Sequence, residues 1–274
     1  FFFKQKTAYE ISTRDWSSDV CSSDLHAALL IAKLDNPDLD VDASRQEIDH
    51  LAGDIRRRVP EGADDEATLA ALNRVLFDEL GFHGSRGDYY NRANSYVNEV
   101  LDDREGIPIS LSVVYMELAR RLGLTVEGVG FPGHFLVRFT PDGGEPRWLD
   151  VFERAAVCTR DDLAAKRRGA GEELTEDDLA VVGPRAILAR MANNLLGIAL
   201  RERRQADVLR SLDVILTVAP ESARDRAMRM VTAVRLGRRA TALADARWLL
   251  EHAPEGIDLD QVRGLVARLE AGDD

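Results

Sequence analysis

The stretch 108–152 constrains the fold of this chain more than any other, because its pattern changes from helical to alternating. Pro108 and Gly123 enclose an apolar run of helical length. Proline favours the first turn of a helix and glycine favours its end. The run 125–139 then alternates and is rich in Val and Phe, which is typical of a strand. A turn-forming PDGGEP sequence separates it from a second strand, RWLDVF, and this order predicts an antiparallel sheet beside a helix.

Helical patterns flank this stretch on both sides. Residues 26–82 contain amphipathic runs separated by proline-containing turns. Beyond Pro184 the run ADVLRSLDVILTVAPES, from Ala206, aligns without gaps with ATALADARWLLEHAPEG, from Ala240, at an offset of 34 residues. A period of this length, with small residues inside the helix and proline at its end, is typical of tetratricopeptide repeats.

The fold class predicted from these patterns is α+β with an all-α tail. A helical lead-in and the mixed core form one domain over residues 26–165, and the helical repeats form another over residues 184–274. The charged segment 160–180 is interpreted as a connector with a short helix near its start.

Composition narrows the classes of function. Hydrophobic residues make up 45% and charged residues 31% of the chain, which is typical of a globular protein. The formal net charge of −12 opposes binding to phosphate backbones, so we expect no nucleic-acid partner. No apolar run approaches the roughly 20 residues that cross a bilayer, so we expect no membrane insertion. The two cysteines favour a reducing, cytoplasmic location, and no cofactor is expected.

Residues 1–25 carry no amphipathic period and no signal-peptide pattern. They resemble the translation of a sequencing adapter, because the run Val-Cys-Ser-Ser-Asp-Leu at 20–25 can be encoded by adapter DNA. We therefore expect this segment, with Cys21, to be foreign to the natural protein, which leaves Cys158 as its cysteine.

Several short motifs in the core stand out when they are taken together. They are Asn94-Ser95-Tyr96, the sequence REGIPISL at 104–111, ARRLGL at 119–124, FPGHFL at 131–136 and LDVF at 149–152. With these motifs the chain resembles the transglutaminase-like superfamily, and within it the SirB-type proteins, which join such a core to tetratricopeptide repeats. The resemblance extends over nearly all of residues 26–274.

The resemblance implies a papain-like catalytic triad. In that triad a Cys at the N-terminus of a buried helix attacks an amide, a His on a following strand assists, and an Asp on the next strand orients the His. His134 and Asp150 correspond to the last two members, and we expect His134 to open its strand. Alignment of the 120–123 motif with the family's Arg-x-x-Gly pattern places the Cys position at Pro108, which has no nucleophile.

Other residues offer weaker candidates for a nucleophile. Ser110 and Ser112 follow Pro108, and either could be activated by His134. We favour the interpretation of Ser110 as a helix cap or core hydroxyl. Cys158 follows His134 and Asp150 in the chain, so we interpret it as a buried structural thiol.

The cleft beside this pair is predicted to be lined by Asn94, Ser95, Arg104 and Pro108. Asn94 or Ser95 is expected to cap a helix, and the loop 88–91 with its two tyrosines can lie at the same edge. Arg104 is either part of a solvated charge cluster or a partner for Asp150 or for a ligand carboxylate. The spacing of His83, Asp88 and Tyr90 fits no zinc pattern, so no metal is expected.

Two functions follow from these features. The favoured hypothesis is a catalytically degenerate transglutaminase-like protein that acts as a regulatory or interaction module, with a residual His134–Asp150 cleft and a helical surface for a protein or peptide partner. The alternative is an active amide-bond hydrolase or acyltransferase that uses Ser110 or Ser112. A third possibility is a purely structural fold whose tail mediates oligomerisation, although the oligomeric state itself does not follow from the sequence.

Overall fold

The computed structural model describes residues 24–271, which form two compact units, 24–191 and 192–271. The boundary after Met191 lies inside a helix, beyond the predicted domain start at 184. The first helix begins at Asp24, and Leu25 is fully buried. The rest of the segment with the predicted adapter origin, including Cys21, lies outside the described residues, so that interpretation stays a prediction.

The first unit contains a set of helices that surround one central helix. They are α1 (Asp24–Asp35), α2 (Val41–Arg56), α3 (Asp65–Asn73), which continues into a π-helical turn (Arg74–Glu79), α4 (Val97–Asp103), the central α5 (Pro108–Leu122) and α6 (Arg160–Gly169). Asp40 and Asp64 cap α2 and α3 by accepting hydrogen bonds from backbone N–H groups of their first turns.

Helix α5 is central because nearly all of its faces are apolar. Pro108 stands at its first turn, and Gly123 ends it in the left-handed conformation at φ 89°. The side chain of Tyr115 is fully buried, and its hydroxyl donates to the Asn73 side chain at 2.7 Å. Helices α1 to α4 all pack against α5, which explains why the helical lead-in is part of the core.

The sheet lies against the same central helix. Strands β3 (Thr125–Val129), β4 (Leu136–Thr140), β5 (Arg147–Asp150) and β6 (Ala156–Cys158) form an antiparallel sheet in chain order. In its register Val137 faces Leu149, and Asp150 faces Ala156. Two short strands, β1 (His83–Gly84) and β2 (Glu105–Gly106), pair in parallel beside it.

Some local expectations were wrong. Neither Asn94 nor Ser95 caps a helix, because both lie in a 3-10 turn (Arg92–Ser95) and Tyr96 occupies the cap position of α4. His134 precedes its strand, since β4 begins at Leu136. Strand β6 was not predicted, because its three residues are too few to show an alternating pattern.

The second unit is helical throughout its described part. Helix α7 (Pro184–Arg201) begins in the first unit, and α8 (Gln205–Val218), α9 (Ala223–Arg235), α10 (Arg239–His252) and α11 (Leu259–Ala271) follow. Helices α8 and α10 begin 34 residues apart (239 − 205), the offset of the sequence repeat. The assignment of these helices to the tetratricopeptide class stays a prediction.

A buried charge network links successive helices of the second unit. Arg229 of α9 donates to Asp213 of α8 at 2.8 Å and to Asp245 of α10 at 2.7 and 2.8 Å. Asp245 is fully buried, and Arg226 also donates to it at 3.2 Å. The two guanidinium groups satisfy this buried carboxylate, so the network joins the helices without leaving Asp245 unpaired.

Candidate functional site

A tight turn positions His134. The backbone N–H of His134 donates to the carbonyl of Phe131 at 3.0 Å, and Pro132 and Gly133 occupy the two middle positions of the turn. Gly133 has φ 72°, which suits the third position of a type II turn, where glycine has no steric penalty. The turn therefore holds His134 two residues before β4, at the end of the sheet.

Asp150 meets this histidine from the end of the neighbouring strand. Its Oδ1 lies 2.8 Å from His134 Nε2, and its other oxygen accepts a hydrogen bond from Lys166 Nζ of α6 at 3.2 Å. Asp150 is 1% exposed, whereas the His134 side chain remains 21% exposed. The carboxylate orients the ring through Nε2, which leaves Nδ1 as the nitrogen available to a ligand.

The charge state of Asp150 follows from these contacts. Burial on its own raises the pKa of a carboxyl group, but the hydrogen bond from His134 and the charges of His134 and Lys166 outweigh it. The pKa of Asp150 consequently lies below its ordinary value. The group is an anion at neutral pH and stabilises a positive charge on the imidazole ring.

The N-terminus of α5 provides no free nucleophile in this arrangement. Pro108 is buried at the first turn. The Ser110 hydroxyl donates to the carbonyl of Asn94 at 2.6 Å and accepts from the N–H of Ile107 at 3.1 Å. The Ser112 hydroxyl donates to the Pro108 carbonyl at 2.7 Å. Both serines are fully buried, and in the described part of the chain neither is hydrogen-bonded to His134.

Comparison with known sequence families decides where this core belongs. The transglutaminase-like superfamily matches residues 42–193, which is more than half of the chain. The chain belongs to the transglutaminase-like superfamily. The matched residues include helix α5, strands β4 and β5 with the His134–Asp150 pair, and Lys166.

Individual relatives extend the likeness beyond the transglutaminase-like core. A UPF0162 protein of Xylella fastidiosa is 36% identical over 249 residues, which cover 88% of this chain and 87% of the relative. A UPF0162 protein of Vibrio cholerae is 28% identical, with 86% and 90% covered. Human F-box only protein 21 is 40% identical over 161 residues, which cover 56% of this chain and 26% of that protein. No solved structure matches the chain.

The remaining predicted residues of this transglutaminase-like core have structural contacts. Asn94 donates through its side chain to the Asp88 carbonyl at 2.8 Å, and Ser95 is buried. Arg104 ends α4 at φ 61° and donates to the carbonyls of Leu101 and Leu80, so it does not pair with Asp150. These contacts shape the backbone around the site without supplying a group to it.

Cys158 lies on β6 and is buried. Burial raises the pKa of its thiol, and the nearby negative charge of Asp150 adds to the rise. A thiol with a raised pKa is a poor nucleophile at neutral pH. The geometry therefore agrees with a structural thiol.

Sequence reasoning missed the groups that complete the site. Lys166 lies 16 residues after Asp150 in a segment interpreted as a connector, and no local pattern marks it. The ring of Phe152 lies edge-on to His134 at 6.1 Å and to Tyr89 at 6.3 Å. Phe152 belongs to the LDVF motif and Tyr89 to the tyrosine loop, so both carried a signal, although their contact did not follow from it.

Within residues 24–271, no three or more His, Cys, Asp or Glu side chains converge as metal ligands do. In that same range, no helix combines the length and the apolar character needed to cross a bilayer.

Proposed function

We propose that this chain is a non-catalytic transglutaminase-like protein that binds a peptide or small ligand beside His134 and Asp150. One observation carries the proposal: His134 is hydrogen-bonded to the carboxylate of Asp150, whereas Pro108 stands at the position that the motif alignment assigns to the family's nucleophile. The serine alternative is less favoured, because Ser110 and Ser112 each donate to a backbone carbonyl inside the core.

The exposed side of the pair supports a binding role. Asp150 is buried, but the His134 side chain remains partly exposed, and its ring contacts Phe152, which in turn contacts Tyr89 of the loop 88–91. Tyr89 and Tyr90 are 39% and 53% exposed, and their rings meet edge-on at 5.3 Å. Exposed aromatic rings beside a hydrogen-bonding group are typical of recognition surfaces.

The helical tail belongs to the same proposal. We infer that α8 to α11 form a tetratricopeptide-type array that offers a surface to a protein partner. The 34-residue repeat and the matching starts of α8 and α10 support this assignment. The low cysteine content supports a cytoplasmic location.

The test is a binding assay that also detects turnover. Nuclear magnetic resonance titration of the full chain with a pool of N-acetylated peptide amides is expected to shift the His134 resonances in a saturable way. Mass spectrometry of the same samples is expected to show unchanged peptides and unmodified protein. His134→Ala should abolish the shifts of neighbouring residues, whereas His50→Ala, an exposed histidine of α2, should not.

Either of two results would contradict the proposal. An acyl adduct on Ser110 or Ser112, lost in the matching alanine variant, would establish the serine enzyme instead. Saturable binding that persists unchanged in His134→Ala would place the ligand elsewhere on the protein.

A further inference from the structure

Arg190 of α7 contacts the His134 turn, and its hydrogen bonds there go to backbone carbonyls rather than to a carboxylate. One guanidinium nitrogen, Nη2, donates to the carbonyl of Phe131 at 2.9 Å and to the carbonyl of His134. The guanidinium carbon lies 5.7 Å from the centre of the Phe135 ring. The nitrogens Nε and Nη1 have no acceptor among the described residues.

The positive charge of Arg190 has no carboxylate partner in the described part of the chain. Arg229, which is similarly enclosed, contacts both Asp213 and Asp245. For Arg190 burial lowers the pKa, and the group that opposes this shift is the phenol of Tyr89, not an acid. A guanidinium stays charged in proteins, so a partly buried one without an anion is costly unless a ligand supplies the anion.

The neighbours of Arg190 include aromatic side chains and the turn that carries His134. Tyr89 is close enough to Arg190 for each group to affect the other's pKa. Tyr89 in turn contacts Phe152, and Phe152 contacts His134, whose carbonyl binds Arg190. These contacts connect the guanidinium group of Arg190 with a partly exposed imidazole ring and two aromatic rings.

We propose that Arg190 binds the carboxylate of a peptide or amino-acid ligand whose apolar part rests on Phe152 and Tyr89. The inference rests on the proposed binding function of the His134 site and names the chemistry of its ligand.

The charges around the site favour a carboxylate over a phosphate. Lys166 is already paired with Asp150, and Arg86 is paired with Glu153 at 2.5 Å. Arg190 therefore supplies a single positive charge, whereas the buried anion of Asp150 contacts the ring of His134 and not its carbonyl. A monoanion with two oxygen acceptors matches the free nitrogens of one guanidinium, whereas a phosphate dianion would lack a second cation.

The test compares probes that differ in the presence and the position of a carboxylate. N-acetyl-phenylalanine carries a terminal carboxylate, N-acetyl-phenylalanine amide is its neutral analogue, and N-acetyl-Phe-Glu-amide carries a side-chain carboxylate. Calorimetric titration of the full chain is expected to give binding of one or both carboxylates that is tighter than that of the neutral amide by about tenfold or more. The better of the two carboxylates identifies the source of the group.

Variants connect this preference to Arg190. Arg190→Gln should remove the preference for the carboxylate but keep weak binding of the neutral amide, and Arg190→Lys should retain part of the preference. Arg185→Gln changes an exposed arginine of the same helix and should leave both affinities unaltered. Unfolding temperatures of all variants show whether each one is folded, and the probe comparison on the unmodified chain does not depend on them.

The outcomes separate the two proposals. Equal binding of the carboxylates and the neutral amide overturns the role of Arg190 but leaves the binding function of the His134 site intact. Absence of binding by every probe, together with unshifted His134 resonances in the peptide titration, overturns both.

Discussion

At the scale of single residues, Gly84 leaves room for the ring of Phe152, because it carries no Cβ atom. A Cβ atom at Gly84 would lie 2.5 Å from two carbons of the Phe152 ring, so the ring would have to move. We expect Gly84→Ala to lower the free energy of unfolding by about 1–3 kcal/mol, because the buried strand leaves little room for the displacement. Urea denaturation measures the change.

Gly87, three residues further along, is the matched control. A Cβ at that position would meet no atom within 4 Å, so Gly87→Ala should change stability by less than about 0.5 kcal/mol. The displaced ring of Phe152 in Gly84→Ala should also alter the His134 resonances, since the two rings are in contact. Equal stability of the two variants would show that Phe152 does not occupy this position.

The ionised state of Asp150 gives a dependence of stability on pH. The folded pKa of Asp150 lies below the ordinary value of 3.8, so its contribution is fully present above pH 3.8 and is lost as the pH falls through the folded pKa. We expect the wild type to lose this contribution in acid, whereas Asp150→Asn has no such contribution to lose.

The measurement is the free energy of unfolding of both proteins from pH 7 to pH 3. The difference between wild type and Asp150→Asn should become smaller as the pH falls below 3.8. A difference that stays constant down to pH 3 would mean that the pKa of Asp150 is not lowered by His134 and Lys166.

At the scale of elements, the N-terminus of α5 contains two buried serines that should differ in their contribution to stability. The Ser110 hydroxyl bonds to both Asn94 and Ile107, so Ser110→Ala leaves buried backbone groups unsatisfied and should cost about 1–3 kcal/mol. Ser112 donates only to a carbonyl one turn earlier in its helix, so Ser112→Ala should cost less than about 1 kcal/mol. Urea denaturation at neutral pH compares the two, and equal losses would argue against this network.

The helices of the second unit depend on the carboxylate of Asp245. Asp245→Ala removes the carboxylate that pairs with Arg226 and Arg229, which should lower the free energy of unfolding by about 3–5 kcal/mol. Hydrogen exchange should therefore quicken in α8, α9 and α10. Asp260→Ala, which breaks an exposed pair with Arg263 on α11, should leave exchange in those helices unchanged. Unchanged protection in Asp245→Ala would refute the role of the network.

Local chemistry explains which elements were predictable. Pro108 and Gly123 mark the ends of α5, and the Phe131–Gly133 sequence marks the turn that precedes β4, because each residue acts on its own backbone. Lys166 and Arg190 were not predictable, since their roles depend on contacts with residues 16 and 56 positions away. The caps at Asn94 and Ser95 failed because the preceding 3-10 turn takes up the polar residues of that loop.

At the scale of the whole molecule, the relatives differ in how much of the chain they match. The UPF0162 relatives of Xylella fastidiosa and Vibrio cholerae match most of the chain, whereas human F-box only protein 21 shares 56% of it. The chain thus has relatives that differ in length.

In the proposed function, the His134–Asp150 site binds a ligand without catalysing a reaction of it. The most direct measurement is a titration of the full chain with N-acetylated peptides, followed through the His134 ring resonances, with the mass of protein and peptide recorded at each step. We expect saturable changes in the chemical shifts of the His134 ring, with the masses of protein and peptide unchanged. An acyl adduct on Ser110 or Ser112, or cleaved peptide that disappears in His134→Ala, would contradict it.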